Sequence, residues 1–201
     1  MRFHKIISTL FHPIVMPTIG IMLYFLVTTK QIEPYQKLLA ILIIFGTTYF
    51  TPLVLLFILK SLKKIDSYQL KKRKERKLPL AIMVVLFYTL GNLFKRILIL
   101  EEISLLFHAT SLGLIITYFL LNFSIKSSIH LLSIGISCGF FMMVALKSDE
   151  SYMLIIIINF LIAGLLGSAR LHLKAHSPKE VYVGFLIGIS TVFGMHIVYN
   201  M

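Results

Sequence analysis

The stretch RLHLKAHSPKEVYVG, Arg170 to Gly184, lies between two uncharged apolar runs and carries an unusual set of polar residues. His176 and Glu180 stand four residues apart. If the last helix begins at Ser177–Pro178, the imidazole sits at its cap and the carboxylate one turn in, within reach of a ring nitrogen. A carboxylate on one nitrogen fixes the tautomer and makes the other nitrogen a better base or nucleophile. Arg170 offers a planar fork of donors matched to phosphate oxygens, and Lys174, Lys126 and the cluster from Lys71 to Lys77 add positive charge. His130 could supply a proton to a leaving oxygen. One histidine attacking while another protonates is the division of labour for cleaving a phosphate ester through a phosphohistidine.

The same stretch admits a metal reading, because His172, His176 and Glu180 recur at four-residue intervals. Pro178 interrupts a continuous helix through them, and Arg170, Lys174 and Lys179 would repel a cation. The expectation is therefore a site with no metal and no cofactor.

The elements that must position these residues are membrane spans. Of 201 residues, 58% are hydrophobic and only 14% charged, with a mean hydropathy of +0.90, too few polar groups to cover a water-facing surface. Uncharged runs such as Ile6 to Thr29, Leu38 to Leu59 and Ile103 to Ile125 reach the roughly 20 residues that cross a bilayer. The expected fold is an all-α polytopic transmembrane helical bundle of about seven spans, or six. The spans fall near residues 13–29, 38–59, 79–98, 103–121, 130–147, 152–169 and 182–199. The first run follows Arg2 and Lys5 but has no small-residue cleavage site, so it reads as a retained span. The chain reads as a single integral membrane domain, 1–201, with a basic loop at 60–78. The lone Cys138 lies within a run and reads as a small buried hydrophobe.

Seven spans bring three polar segments, 71–79, 126–130 and 170–184, to one face. That face holds all but five of the 20 Lys and Arg residues, the exceptions being Lys30, Lys37, Lys95, Arg96 and Lys147. The positive-inside rule turns it toward the cytoplasm. The net charge of +12 lies in short loops beside spans, so it serves topology and anionic headgroups and not nucleic acid.

With these residues in view, the chain resembles the type 2 phosphatidic acid phosphatase (PAP2) superfamily of membrane lipid phosphatases. That family's third signature, Arg-x5-His-x3-Asp-Val-x2-Gly, is similar to Arg170, His176, Glu180, Val181 and Gly184, with glutamate for aspartate and Ala169 where serine is usual. Its second, Pro-Ser-Gly-His, is similar to Ser127-Ser128-Ile129-His130, which keeps the serine and histidine. Its first, Lys-x6-Arg-Pro, is approached by Arg76 and Lys77 ahead of Leu78-Pro79. The resemblance implies a PAP2-like core and hydrolysis of a lipid phosphomonoester or pyrophosphate without a metal. It makes His176 the nucleophile, Glu180 its orienting partner and His130 the general acid. Arg170, Lys71, Arg76, Lys126 and Ser128 would bind phosphate. The implied partners are membrane lipids, and the implied location is a bacterial cytoplasmic membrane; family enzymes acting on lipid carriers often face outward, whereas the charge count turns the motif face inward. The departures at Ile129, Ala169 and Leu78 support an alternative, a catalytically silent relative that binds anionic lipid or scaffolds membrane partners. A transporter is a third reading, but the chain shows no inverted repeat.

Overall fold

The computed structural model describes residues 2–68, 73–123, 125–148 and 151–199. Among them nine α-helices follow in order: α1 (Arg2–Leu10), α2 (Met16–Val27), α3 (Pro34–Phe45), α4 (Thr51–Ser61), α5 (Arg73–Lys95), α6 (Glu101–Asn122), α7 (Ile129–Lys147), α8 (Met153–His172) and α9 (Pro178–Tyr199). Prolines set several starts: Pro17, Pro34 and Pro52 fall in the first turns of α2, α3 and α4, where a missing amide proton costs nothing. Pro52 offers no amide to the carbonyl four residues back. Ahead of it the backbone widens into a π turn over Gly46–Phe50, where the Thr48 hydroxyl donates to the Ile44 carbonyl at 2.8 Å. Together α3, the turn and α4 make one span of 28 residues, Pro34–Ser61.

Among the described residues, six helical segments are long and apolar enough to cross a membrane: Pro34–Ser61, Lys74–Lys95, Glu101–Asn122, Ile129–Lys147, Met153–His172 and Pro178–Tyr199. The expected first span departs from its prediction. Its run divides into α1, a bend at 11–15 containing Pro13, and α2, which at 12 residues is shorter than the bilayer requires. The expected 60–78 loop is shorter as well, because α5 starts at Arg73 and carries Pro79 in its interior. Arg, Lys, Glu and Leu from 73 to 78 are strong helix formers, and their propensity extends the helix upstream of the proline.

The helices are apolar on both sides, as a bilayer demands. On α8, Leu154, Ile157, Ile158, Leu161 and Leu165 are exposed on one face, while Ala163, Leu166 and Ala169 are buried on the other. The core is built from α5, α6, α7 and α9 around Phe94, Ile103, Phe107, Phe140 and Phe141. The α7 and α9 backbones nearly touch. A Cβ on Gly184 would stand 2.5 Å from the Ser128 carbonyl oxygen, and one on Gly135 would collide with the Phe185 carbonyl. Small residues permit this approach, and it fixes where the starts of α7 and α9 lie relative to each other.

Candidate functional site

At the end of α8 the helix closes in a Schellman turn, with the Ala175 amide donating to the Arg170 carbonyl at 3.1 Å and the Lys174 amide to Leu171 at 2.9 Å. Lys174 takes the left-handed position at φ 52°, which costs a residue with a Cβ roughly 1–2 kcal/mol. The turn delivers His176 to the start of α9, where Pro178 is the first helical residue. One turn on, Glu180 Oε2 accepts from His176 Nδ1 at 2.7 Å. Both side chains are largely buried, at 6% and 23% exposure. Leaving either one without the other would cost on the order of 1–3 kcal/mol.

The start of α7 is tied to the same place. The Ser128 amide donates to the Glu180 carbonyl at 3.0 Å, and His130 follows within the first turn, buried. From α8, Arg170 Nη1 donates to the Ser8 hydroxyl at 2.7 Å. From α7, His130 Nε2 donates to the Ser8 carbonyl at 3.2 Å. Arg76, on α5, lies within electrostatic reach of Arg170, His176 and Glu180. Lys77 beside it donates to Asn122 Oδ1 at 2.6 Å, which holds the start of α5 against the end of α6.

Lys126, Lys174, His176, Ser177 and Glu180 line an open bowl of about 550 Å³. Two buried polar atoms at this end, Ser128 Oγ and Arg170 Nε, have no hydrogen-bond partner among the described residues. Buried polar groups are nearly always satisfied, so a hydroxyl and a guanidinium nitrogen left over at one site suit an added acceptor such as a phosphate oxygen. A second cleft, apolar and of about 70 Å³, runs between α2, α5, α6 and α7. Its wall includes Phe107, Leu132, and Pro13 and Ile129, the chain neighbours of the paired rings of His12 and His130.

Burial holds the His176 imidazole below its ordinary value, the Glu180 hydrogen bond opposing that and Arg170 reinforcing it. The ring is therefore neutral at neutral pH. Nδ1 carries the proton toward the carboxylate, and Nε2 keeps its lone pair.

Of the residues singled out from sequence, Arg76, Lys126, Ser128, His130, Arg170, His176 and Glu180 gather at one end of the bundle. Lys71 lies outside the described residues. His172 instead meets His4, the two rings tilted by 31° with centroids 4.1 Å apart, so the four-residue spacing does not pair it with His176. Ile129 points into the core and the apolar cleft, and Ala169 is fully buried.

Two residues at this end escaped the sequence reading. Ser8 joins Arg170 and His130, and His12 stands edge-on to His130 with centroids 5.1 Å apart. The His12 Nδ1 accepts the Ile14 amide at 3.3 Å, and its pKa is lowered by burial and then by Arg170. The available signal was a histidine directly before Pro13 at the mouth of an apolar run. Comparison with known protein families, with curated proteins and with solved structures finds no match to this chain.

Proposed function

We propose that this membrane protein hydrolyses a phosphomonoester or pyrophosphate carried on a lipid, through a phosphohistidine on His176. The observation that carries the reading is the 2.7 Å contact of His176 Nδ1 with Glu180, beside the guanidinium of Arg170 and close to that of Arg76. The Nε2 lone pair attacks phosphorus, an N–P bond forms as the P–O bond to the lipid breaks, and protonated His130 gives its proton to the leaving oxygen. Water then attacks the phosphohistidine, returning a proton to His130 and releasing inorganic phosphate. Arg170, Arg76 and Lys126 counter the charge on the phosphoryl oxygens, and Ser128 Oγ donates to one of them. The apolar cleft lined by Pro13 and Ile129 suits the first methylenes of the lipid chain. The likeness of residues 170–184 to the third PAP2 signature supports the same assignment.

Purified protein in detergent should release phosphate from phosphatidic acid, a prenyl diphosphate or phosphatidylglycerophosphate with no divalent cation added. His176→Ala should abolish release and leave lipid binding intact, since only the bond-making atom is lost. A folded preparation with no turnover on any of the three would sink the proposal. One observation favours the alternative of a silent lipid-binding protein: Ser8 already occupies donors of both Arg170 and His130. Retained lipid binding with no phosphate release would establish that alternative.

A further inference from the structure

The nine residues of α1 sort into three faces by helical period. Phe3, Ile6 and Leu10 form an exposed apolar stripe, at 59%, 62% and 55% exposure, with Ile7 at its edge. Arg2, Lys5 and Thr9 form an exposed polar face. His4 and Ser8 face the bundle, His4 in ring contact with His172 and Ser8 bonded to Arg170. These contacts dock α1 on the last turn of α8, at the end of the bundle where a spanning helix leaves the hydrocarbon. An apolar stripe beside a cationic face at that depth fits an anionic leaflet, with the stripe in the acyl boundary and Arg2 and Lys5 among the headgroups.

We propose that α1 is an interfacial helix seated on an anionic leaflet, and that it closes the phosphate site by inserting Ser8 between Arg170 and His130. The closing role rests on the phosphate-site reading; the seating does not. A phosphate that takes the Arg170 Nη1 donor displaces the Ser8 hydroxyl, so α1 shifts in the leaflet whenever the site fills. By reciprocity, whatever alters the seating of α1 alters affinity at the site by the same factor.

The chain has no tryptophan, so Phe3→Trp gives it a single indole on the stripe. Leu10→Trp serves the same purpose should the first variant fail to fold. In vesicles of phosphatidylglycerol and phosphatidylcholine, bromines placed near the headgroup should quench the indole more than bromines at the chain ends, and more than in phosphatidylcholine alone. Emission untouched by brominated lipid overturns the seating. So does quenching that appears only at high protein-to-lipid ratio, which would mean that a second copy covers the stripe. Orthovanadate should then change the quenching, and Arg170→Gln should remove that response; an indole indifferent to orthovanadate overturns the closing role. Neither readout needs turnover. A protein that quenches and responds but hydrolyses nothing keeps this inference and loses the phosphatase reading, and one that hydrolyses with an unquenched indole does the reverse.

Discussion

Glu180 acts on His176 through a single hydrogen bond, and its effect has a sign. Burial lowers the imidazole below 6.5 and the carboxylate contact raises it part of the way back. In the proposed reaction the neutral ring attacks, so turnover should fall on the acid side as pH drops below 6.5 toward the folded-state value, and the need for a protonated His130 should lower it again on the alkaline side. In that acid range the unfolded chain binds the extra proton more readily than the folded one. Stability is thus full above 6.5 and decreases as pH falls through it. Glu180→Gln keeps the shape and loses the charge, so the acid limb of kcat should move to lower pH. The maximum should drop about 10- to 1,000-fold with KM little changed. A pH–rate profile checks this; an unmoved limb with an altered KM would reassign Glu180 to structure. The His176–Glu180 contact was legible because both residues lie within one helical turn, where spacing is geometry. Ser8 was not, because 162 positions separate it from Arg170 and no local pattern reports such a pairing.

The α7–α9 seam is where an element holds the candidate site. Gly184→Ala would press a Cβ to 2.5 Å from the Ser128 carbonyl, and backbone cannot yield as a flexible side chain can. The two helix starts must part, at a cost of about 1–3 kcal/mol, carrying Ser128 and His130 away from Glu180. Gly164→Ala, on α8, meets open space and should be neutral or stabilising by roughly 0.5–1 kcal/mol. Melting in detergent together with phosphate release separates the two; equal behaviour would deny the seam its role. Hydropathy made the long spans legible at this scale, since a bilayer imposes both length and polarity. It overran at residues 13–29, where apolar character continues through bends that shorten α2, and it underran at α5, where charged residues are good helix formers.

For the whole molecule, the contacts of Ser8, Arg76, Ser128, Arg170 and Glu180 set the N-terminal helix and the starts or ends of four spans at one end. The cation excess at that end predicts that it faces the cytoplasm. In a Cys138→Ser background, Ser67→Cys and Ser177→Cys should both resist an impermeant maleimide in intact cells and react after lysis. Reaction of both before lysis would reverse the orientation. Reaction of one alone would break the shared face on which the site depends.

The last helix is fastened at both ends. At one, the Glu180 carbonyl takes the Ser128 amide at 3.0 Å; at the other, Tyr199 Oη bonds to His108 Nδ1 at 2.5 Å and to Ser104 Oγ at 2.8 Å. Its 22 residues make a strut about 33 Å long at ~1.5 Å per residue, close to the thickness of the hydrocarbon layer. A free helix answers a thinner or thicker bilayer by tilting. This one cannot tilt alone without tearing Tyr199 from α6 or Glu180 from α7. The lipid must therefore stretch or compress to meet the protein, so hydrophobic mismatch in any surrounding membrane strains the same bond that places Ser128 beside Glu180.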